Sequence, residues 1–92
     1  MKIPLMLAIK LVEALSPEEY VGAVSETPTE YTMDLRFKFD DEWCDDDVWA
    51  VSKKTGRVRA LGGEEGFMRN DTIIWKRDSY KQKGTYIENN GR

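Results

Sequence analysis

Six carboxylates fall within eight residues at Asp40-Asp41-Glu42-Trp43-Cys44-Asp45-Asp46-Asp47. Clustered hard oxygens are what Ca²⁺ requires. The EF-hand spacing is absent, however, and no glycine stands where that loop must turn. The same run has the charge to mimic nucleic-acid phosphates or to dock on a basic protein surface. Its plain reading is a solvated connection that like charges hold open. Docking comes second and cation binding last, so no metal is assigned. Trp43 lies inside the run, and aromatic residues flanked by charge are enriched at binding hot spots. The candidate partner-binding set is therefore Asp41, Glu42, Trp43, Asp45 and Asp46. Cys44 sits among these carboxylates, whose charge disfavours a thiolate, so it reads as a passive thiol.

A second set is basic. Lys53, Lys54, Arg57 and Arg59 cluster at and beside a hairpin tip, and Arg69, Lys76 and Arg77 extend the patch. Lysine, arginine and nearby aromatics suit phosphate contacts and base stacking. The alternative assignment is thus a nucleic-acid site of Lys53, Lys54, Arg57, Arg59 and Lys76. Against it stands the acidic balance of the whole chain, −3. Lysines at turns and edges also block edge-to-edge aggregation. Gly62-Gly63-Glu64-Glu65-Gly66 lacks the lysine and hydroxyl residue of a phosphate loop and reads as a turn.

The composition removes much other chemistry. With no histidine, the chain lacks the commonest general base near neutral pH and cannot build a Ser-His-Asp or Cys-His centre. One cysteine allows no intrachain disulfide, which fits a reducing cytoplasm. No carboxylate pair has a spacing that argues for a raised pKa, so no enzyme and no cofactor is expected. Charge is split along the chain. Residues 1–47 carry four Lys/Arg and twelve Asp/Glu, a balance of −8, whereas residues 48–92 carry ten and five, a balance of +5. In one small domain such halves are expected to pair with each other.

The elements that position these residues follow from periodicity. Residues 3–15 read as an amphipathic helix of unusually apolar character, with Pro4 in its first turn. Lys10 and Glu13 interrupt the apolar run, so it is read as a mature helix rather than a signal peptide, and nothing reaches membrane-spanning length. Ser16-Pro17-Glu18-Glu19 has the composition of a helix start and predicts a short second helix to about Val24. From Tyr31 the pattern alternates strictly, with Tyr31, Met33, Leu35, Phe37 and Phe39 on one side and Thr32, Asp34, Arg36, Lys38 and Asp40 on the other. That is a strand with one apolar face. After an acidic loop over 40–47, Val48–Ser52 is expected to meet Arg57–Leu61 across Lys53-Lys54-Thr55-Gly56. This places Val51 opposite Val58 and Trp49 opposite Ala60, and the four form a core-facing set. Thr72–Arg77 is a further strand, and residues 78–92 read as a polar tail or a weak edge strand.

The summed expectation is an α+β domain over residues 1–77. An N-terminal helix and a short second helix pack on an antiparallel meander of about four strands, in the order α-α-β-β-β-β. This element order is similar to the cystatin-like and nuclear-transport-factor-like α+β folds. The resemblance covers order alone and carries no motif.

The expected function is a small non-catalytic protein-interaction module, as a monomer or a homodimer. In style it matches the inhibitor or immunity-type proteins of phage and mobile elements. The alternatives are nucleic-acid binding through the basic hairpin and small-molecule binding in a pocket lined by Phe37, Phe39, Trp49 and Trp75.

Overall fold

The computed structural model describes residues 2–62 and 72–87, with backbone alone at Asp45, Asp46 and Asp47. Over these residues the chain forms one helix, α1 (Leu5–Leu15), and a sheet of six strands. The strands are β1 (Glu19–Glu26), β2 (Glu30–Phe37), β3 (Trp43–Ser52), β4 (Val58–Ala60), β5 (Thr72–Lys76) and β6 (Thr85–Tyr86). All pairings are antiparallel, in the order β4-β3-β2-β1-β5-β6. The α+β class stands.

The expected two helices and four strands do not match. The segment read as a second helix is β1, which is flanked by β2 on one side and β5 on the other. Residues Tyr20 to Ser25 are all buried. A strand buried on both faces loses the period-two signal, and its short apolar run then resembles a helix segment. The Ser16-Pro17 start signal makes only a turn, in which the Glu19 N–H donates to the Ser16 carbonyl at 3.0 Å. Chain order also fails to give a pure meander. After β4 at one edge, the chain crosses to lay β5 on the far side of β1.

The acidic segment needs a second correction. The loop ends at Glu42, and β3 begins at Trp43. Leu35 pairs with Cys44 and Asp34 pairs with Val48, so Asp45, Asp46 and Asp47 form an irregularity between consecutive partners. A bulge of this kind re-aims a strand without ending it. Strand β2 also stops at Phe37, two residues before the alternation does. The expected hairpin register appears as read, with Trp49 opposite Ala60 and Val51 opposite Val58. Val51 is buried and Ala60 is exposed. The glycine-rich turn over 62–66 and Arg69 fall largely outside the described residues.

Opposite residues in an antiparallel pair share a face. The pairings therefore put Val21, Val24, Tyr31, Met33, Leu35 and Val51 on one side of the sheet. There they pack with Leu5, Ala8, Ile9 and Val12 of α1 and with Trp75. The helix is tied at both ends. The Ile3 N–H donates to the Lys53 carbonyl at 2.6 Å, and the Tyr31 hydroxyl donates to the Ile3 carbonyl at 2.9 Å. Toward the other end, Glu13 accepts from the Val21 N–H at 2.9 Å and pairs with Arg77. Pro4 is the N-cap rather than a first-turn residue.

Candidate interaction surface

The charge split becomes a spatial arrangement. Glu13 with Arg77, Glu26 with Lys53 and Glu30 with Arg59 each join an acid of the first half to a base of the second. Of the other charges, Asp40 and Glu42 stand exposed at one end of β2, with Lys38 beside them, and Lys54 and Arg57 stand exposed at the other. The acidic turn follows its Phe37 end, and the β3–β4 hairpin flanks its Glu30 end. Eight residues of strand separate them by about 25 Å.

At the acidic end the chain reverses tightly. The Asp41 N–H donates to the Phe37 carbonyl and the Phe37 N–H to the Glu42 carbonyl, both at 2.9 Å. Asp41 has φ of 60°, a left-handed conformation that Asp tolerates better than most residues. Its carboxylate accepts the Tyr20 hydroxyl at 2.7 Å and the Tyr80 N–H at 3.4 Å. Burial first, then the hydrogen bond and charge of Asp41, push the Tyr20 phenol up to about 12. Asp41 is thus engaged in holding the turn on β1. Asp40 caps the same turn through the Glu42 N–H at 3.0 Å, and both Asp40 and Glu42 are exposed.

Trp43 lies over the Arg36 guanidinium, 4.0 Å from its ring centroid. Arg36 in turn donates to the Asp41 carbonyl at 2.6 Å and pairs with Asp78 at 3.6 Å. Gly22 makes room beneath them, because a Cβ there would meet Arg36 Cγ and Trp43 Cζ3 at 2.9 Å. Trp43 remains 40 % exposed. Among the described residues the most exposed aromatic is Phe39, at 81 %, with its ring tilted by 40° against that of Phe37 at 5.5 Å between centroids. It stands on the turn beside Asp40 and Glu42. Alternation placed Phe39 on a buried face, but β2 ends first and turns it outward.

Of the predicted acidic set, the fold gathers Asp41, Glu42 and Trp43 at one turn. Asp45 and Asp46 follow within β3, and their side chains lie outside the description. Sequence reasoning passed over Tyr20, Gly22, Arg36 and Tyr80. Gly22 was the available signal, since a glycine inside a strand marks close approach of another group.

At the basic end Lys53 reaches Glu26 at 2.7 Å and lies over the Tyr31 ring. Arg59 grips Glu30 with two hydrogen bonds of 2.9 and 3.0 Å, and these hold the Glu30 carboxyl below its ordinary range. Lys54 and Arg57 are exposed. Lys2, Pro28, Lys53 and Lys54 line a shallow open groove of about 220 Å³. Lys76 lies on β5, four strand spacings or about 19 Å from β4, and does not join the hairpin. The small-molecule set is not brought together either, because Trp75 is buried at 2 % exposure and Phe39 is on the turn. Among the described residues no group of three or more His, Cys, Asp or Glu is placed to hold a metal ion, and no helix is long and apolar enough to cross a membrane.

Compared with known proteins, the chain matches no family model, no curated protein and no solved structure.

Proposed function

We propose that this chain is a non-catalytic protein-interaction module that binds and blocks a macromolecular partner through the turn after β2. The observation that carries this reading is Phe39, 81 % exposed at the tip of a tight turn, where the exposed carboxylates Asp40 and Glu42 outnumber the one exposed lysine, Lys38. An exposed aromatic ring on a fixed turn buries apolar area at little entropic cost, and carboxylates around it select and steer a basic partner. Asp41, Tyr20 and Arg36 hold the turn from behind, so it is presented rigidly. The partner's chemistry follows: a protein surface with an apolar recess rimmed by Lys and Arg.

The test is affinity capture from the native lysate, with and without nuclease. A nuclease-resistant, stoichiometric protein that is lost with Phe39→Ala and with Asp40→Lys/Glu42→Lys is the expected result. Capture unchanged by those substitutions overturns the assignment. Capture that vanishes with nuclease moves the function to the basic hairpin. That second reading is weaker, since Lys53 and Arg59 already have carboxylate partners and Lys76 is remote.

A further inference from the structure

The groove beside the β3–β4 hairpin is assembled from three separate stretches of chain. The Ile3 N–H donates to the Lys53 carbonyl at 2.6 Å, and the Lys53 N–H donates to the Thr29 carbonyl at 2.9 Å. Backbone bonds thus lace together the chain before α1, the β1–β2 turn and the hairpin tip. The tip is itself fixed, because the Ser52 hydroxyl accepts from the Lys54 N–H at 3.3 Å and from the Thr55 N–H at 3.1 Å. Where the three stretches meet, Lys2, Pro28, Lys53 and Lys54 line an opening of about 220 Å³. Lysines from distant sequence positions therefore converge on one space whose walls are held by main-chain bonds.

That space keeps an excess of positive charge. Lys53 is satisfied internally: its ammonium pairs with Glu26 at 2.7 Å, and its side chain is 12 % exposed. Glu30, the other acid on this side of β2, is held by Arg59. The first turn of α1 carries no acid. Lys2 and Lys54 are exposed and form no ion pair among the described residues. An anion between them would relieve the repulsion of two like charges and gain the attraction of both. An ammonium is a compact point charge with three donors, and it serves phosphate oxygens without the planar match a carboxylate asks of arginine.

We propose that the groove of Lys2, Pro28, Lys53 and Lys54 is a binding site for a compact multivalent phosphate, of which pyrophosphate is the simplest. A nucleic-acid strand fits less well. It needs basic groups repeated along a track and rings on which its bases stack. Here Arg59 is occupied by Glu30, Lys76 lies about 19 Å from β4, and the ring beside the groove, Tyr31, is buried beneath Lys53. The site is separate from the turn after β2 and does not depend on the partner proposed for it.

The test is an amide NMR titration of the whole chain with pyrophosphate, from about 0.1 mM to about 10 mM, against sulfate at the same ionic strength. The expected result is saturable shifts at Lys2, Ile3, Lys53 and Lys54, with a dissociation constant of about 1 mM or tighter and several-fold below that of sulfate. Lys2→Gln and Lys54→Gln should each weaken binding about threefold or more, and the double variant about tenfold. Both positions are exposed, so shifts elsewhere in the spectrum should match the parent and report an intact fold. Arg57→Gln, outside the groove, should change binding less than about twofold. Shifts that never saturate overturn the proposal, as does binding no tighter than sulfate's, which would mark an adventitious ion only. Equal losses with Arg57→Gln and Lys54→Gln overturn it in favour of a diffuse patch. A chain that ignores pyrophosphate but binds single-stranded oligonucleotides or phosphatidylglycerol vesicles overturns it in favour of a polymer or lipid surface.

Discussion

Replacing Gly22 by alanine tests the architecture behind the acidic turn. Gly22 is the extra residue where the β1–β2 register shifts, between Val21 opposite Leu35 and Ala23 opposite Asp34. A Cβ there would sit 2.9 Å from Arg36 Cγ, 2.9 Å from Trp43 Cζ3 and 3.0 Å from Arg36 Cδ. Carbon contacts are comfortable near 3.5–4.0 Å, so the overlap is about half an ångström or more at each atom. Arg36 is held by the Asp41 carbonyl and Asp78, so it cannot simply swing away. Either the Arg36–Trp43 stack lifts into solvent or the strand shifts. Overpacking of this kind costs about 1–3 kcal/mol, and loss of the stack about 0.5–1 kcal/mol. The lower chain entropy of alanine offsets roughly 0.5–1 kcal/mol. The net expectation is a destabilisation of about 2 kcal/mol, measured by urea unfolding. The decisive comparison is the same substitution in a Trp43→Ala background, where the contact at 2.9 Å with Trp43 Cζ3 is gone and the Arg36 stem can shift into the space the indole leaves. There the cost should fall by about 1 kcal/mol or more, a coupling well above the noise of a double-mutant cycle. An equal cost in both backgrounds would refute the reasoning, as would a Gly22→Ala protein more stable than the parent.

Gly84→Ala should be more damaging. Gly84 has φ of +85°, and a Cβ there would come within 2.0 Å of the indole of buried Trp75. A loss of about 3 kcal/mol is expected in the same urea assay. The Tyr20 phenol is raised from 10.0 to about 12, so its contribution to stability is complete below pH 10 and is lost as pH rises toward about 12. Thermal melts against pH should show this alkaline limb, and Tyr20→Phe should flatten it. Glu30 behaves in the opposite sense. Its carboxyl is lowered from 4.5, chiefly by the Arg59 hydrogen bonds, so its contribution is present above that pH and fades as acid is added. Arg59→Gln should make the acid limb shallower, by less than about 1 kcal/mol, because Arg59 is 48 % exposed.

Much of the fold was legible where contacts are local. The alternation from Tyr31 to Leu35 marks one buried face, and all three apolar residues of that stretch are buried. The hairpin at Lys53-Lys54-Thr55-Gly56 dictates its own register, because a four-residue connection leaves little freedom and Gly56 supplies the positive φ of 78°. The opposed charge of the two halves foretold their pairing, as Glu13–Arg77, Glu26–Lys53 and Glu30–Arg59 show. Other elements were hidden for a physical reason. β1 is a strand because β2 and β5 bond to both its edges, and β5 lies some fifty residues away in the chain. No local pattern encodes that, and burial on both faces erased the alternation that would have announced it.

The candidate surface divides in the same way. Its acidic character and its tryptophan could be read from residues 40–47 directly, since net local charge survives folding. Which of those groups face outward could not. Tyr20, twenty-one residues away, claims Asp41, and Gly22 with Arg36 claims one face of Trp43. Phe39, which the alternation assigned to the interior, stands in solvent because β2 ends two residues too soon to bury it. Composition and periodicity thus set which chemistry the chain carries and the strands it can form locally. The pairing of distant segments, where a hydrogen-bonded edge outweighs local propensity, chose which side chains remain exposed.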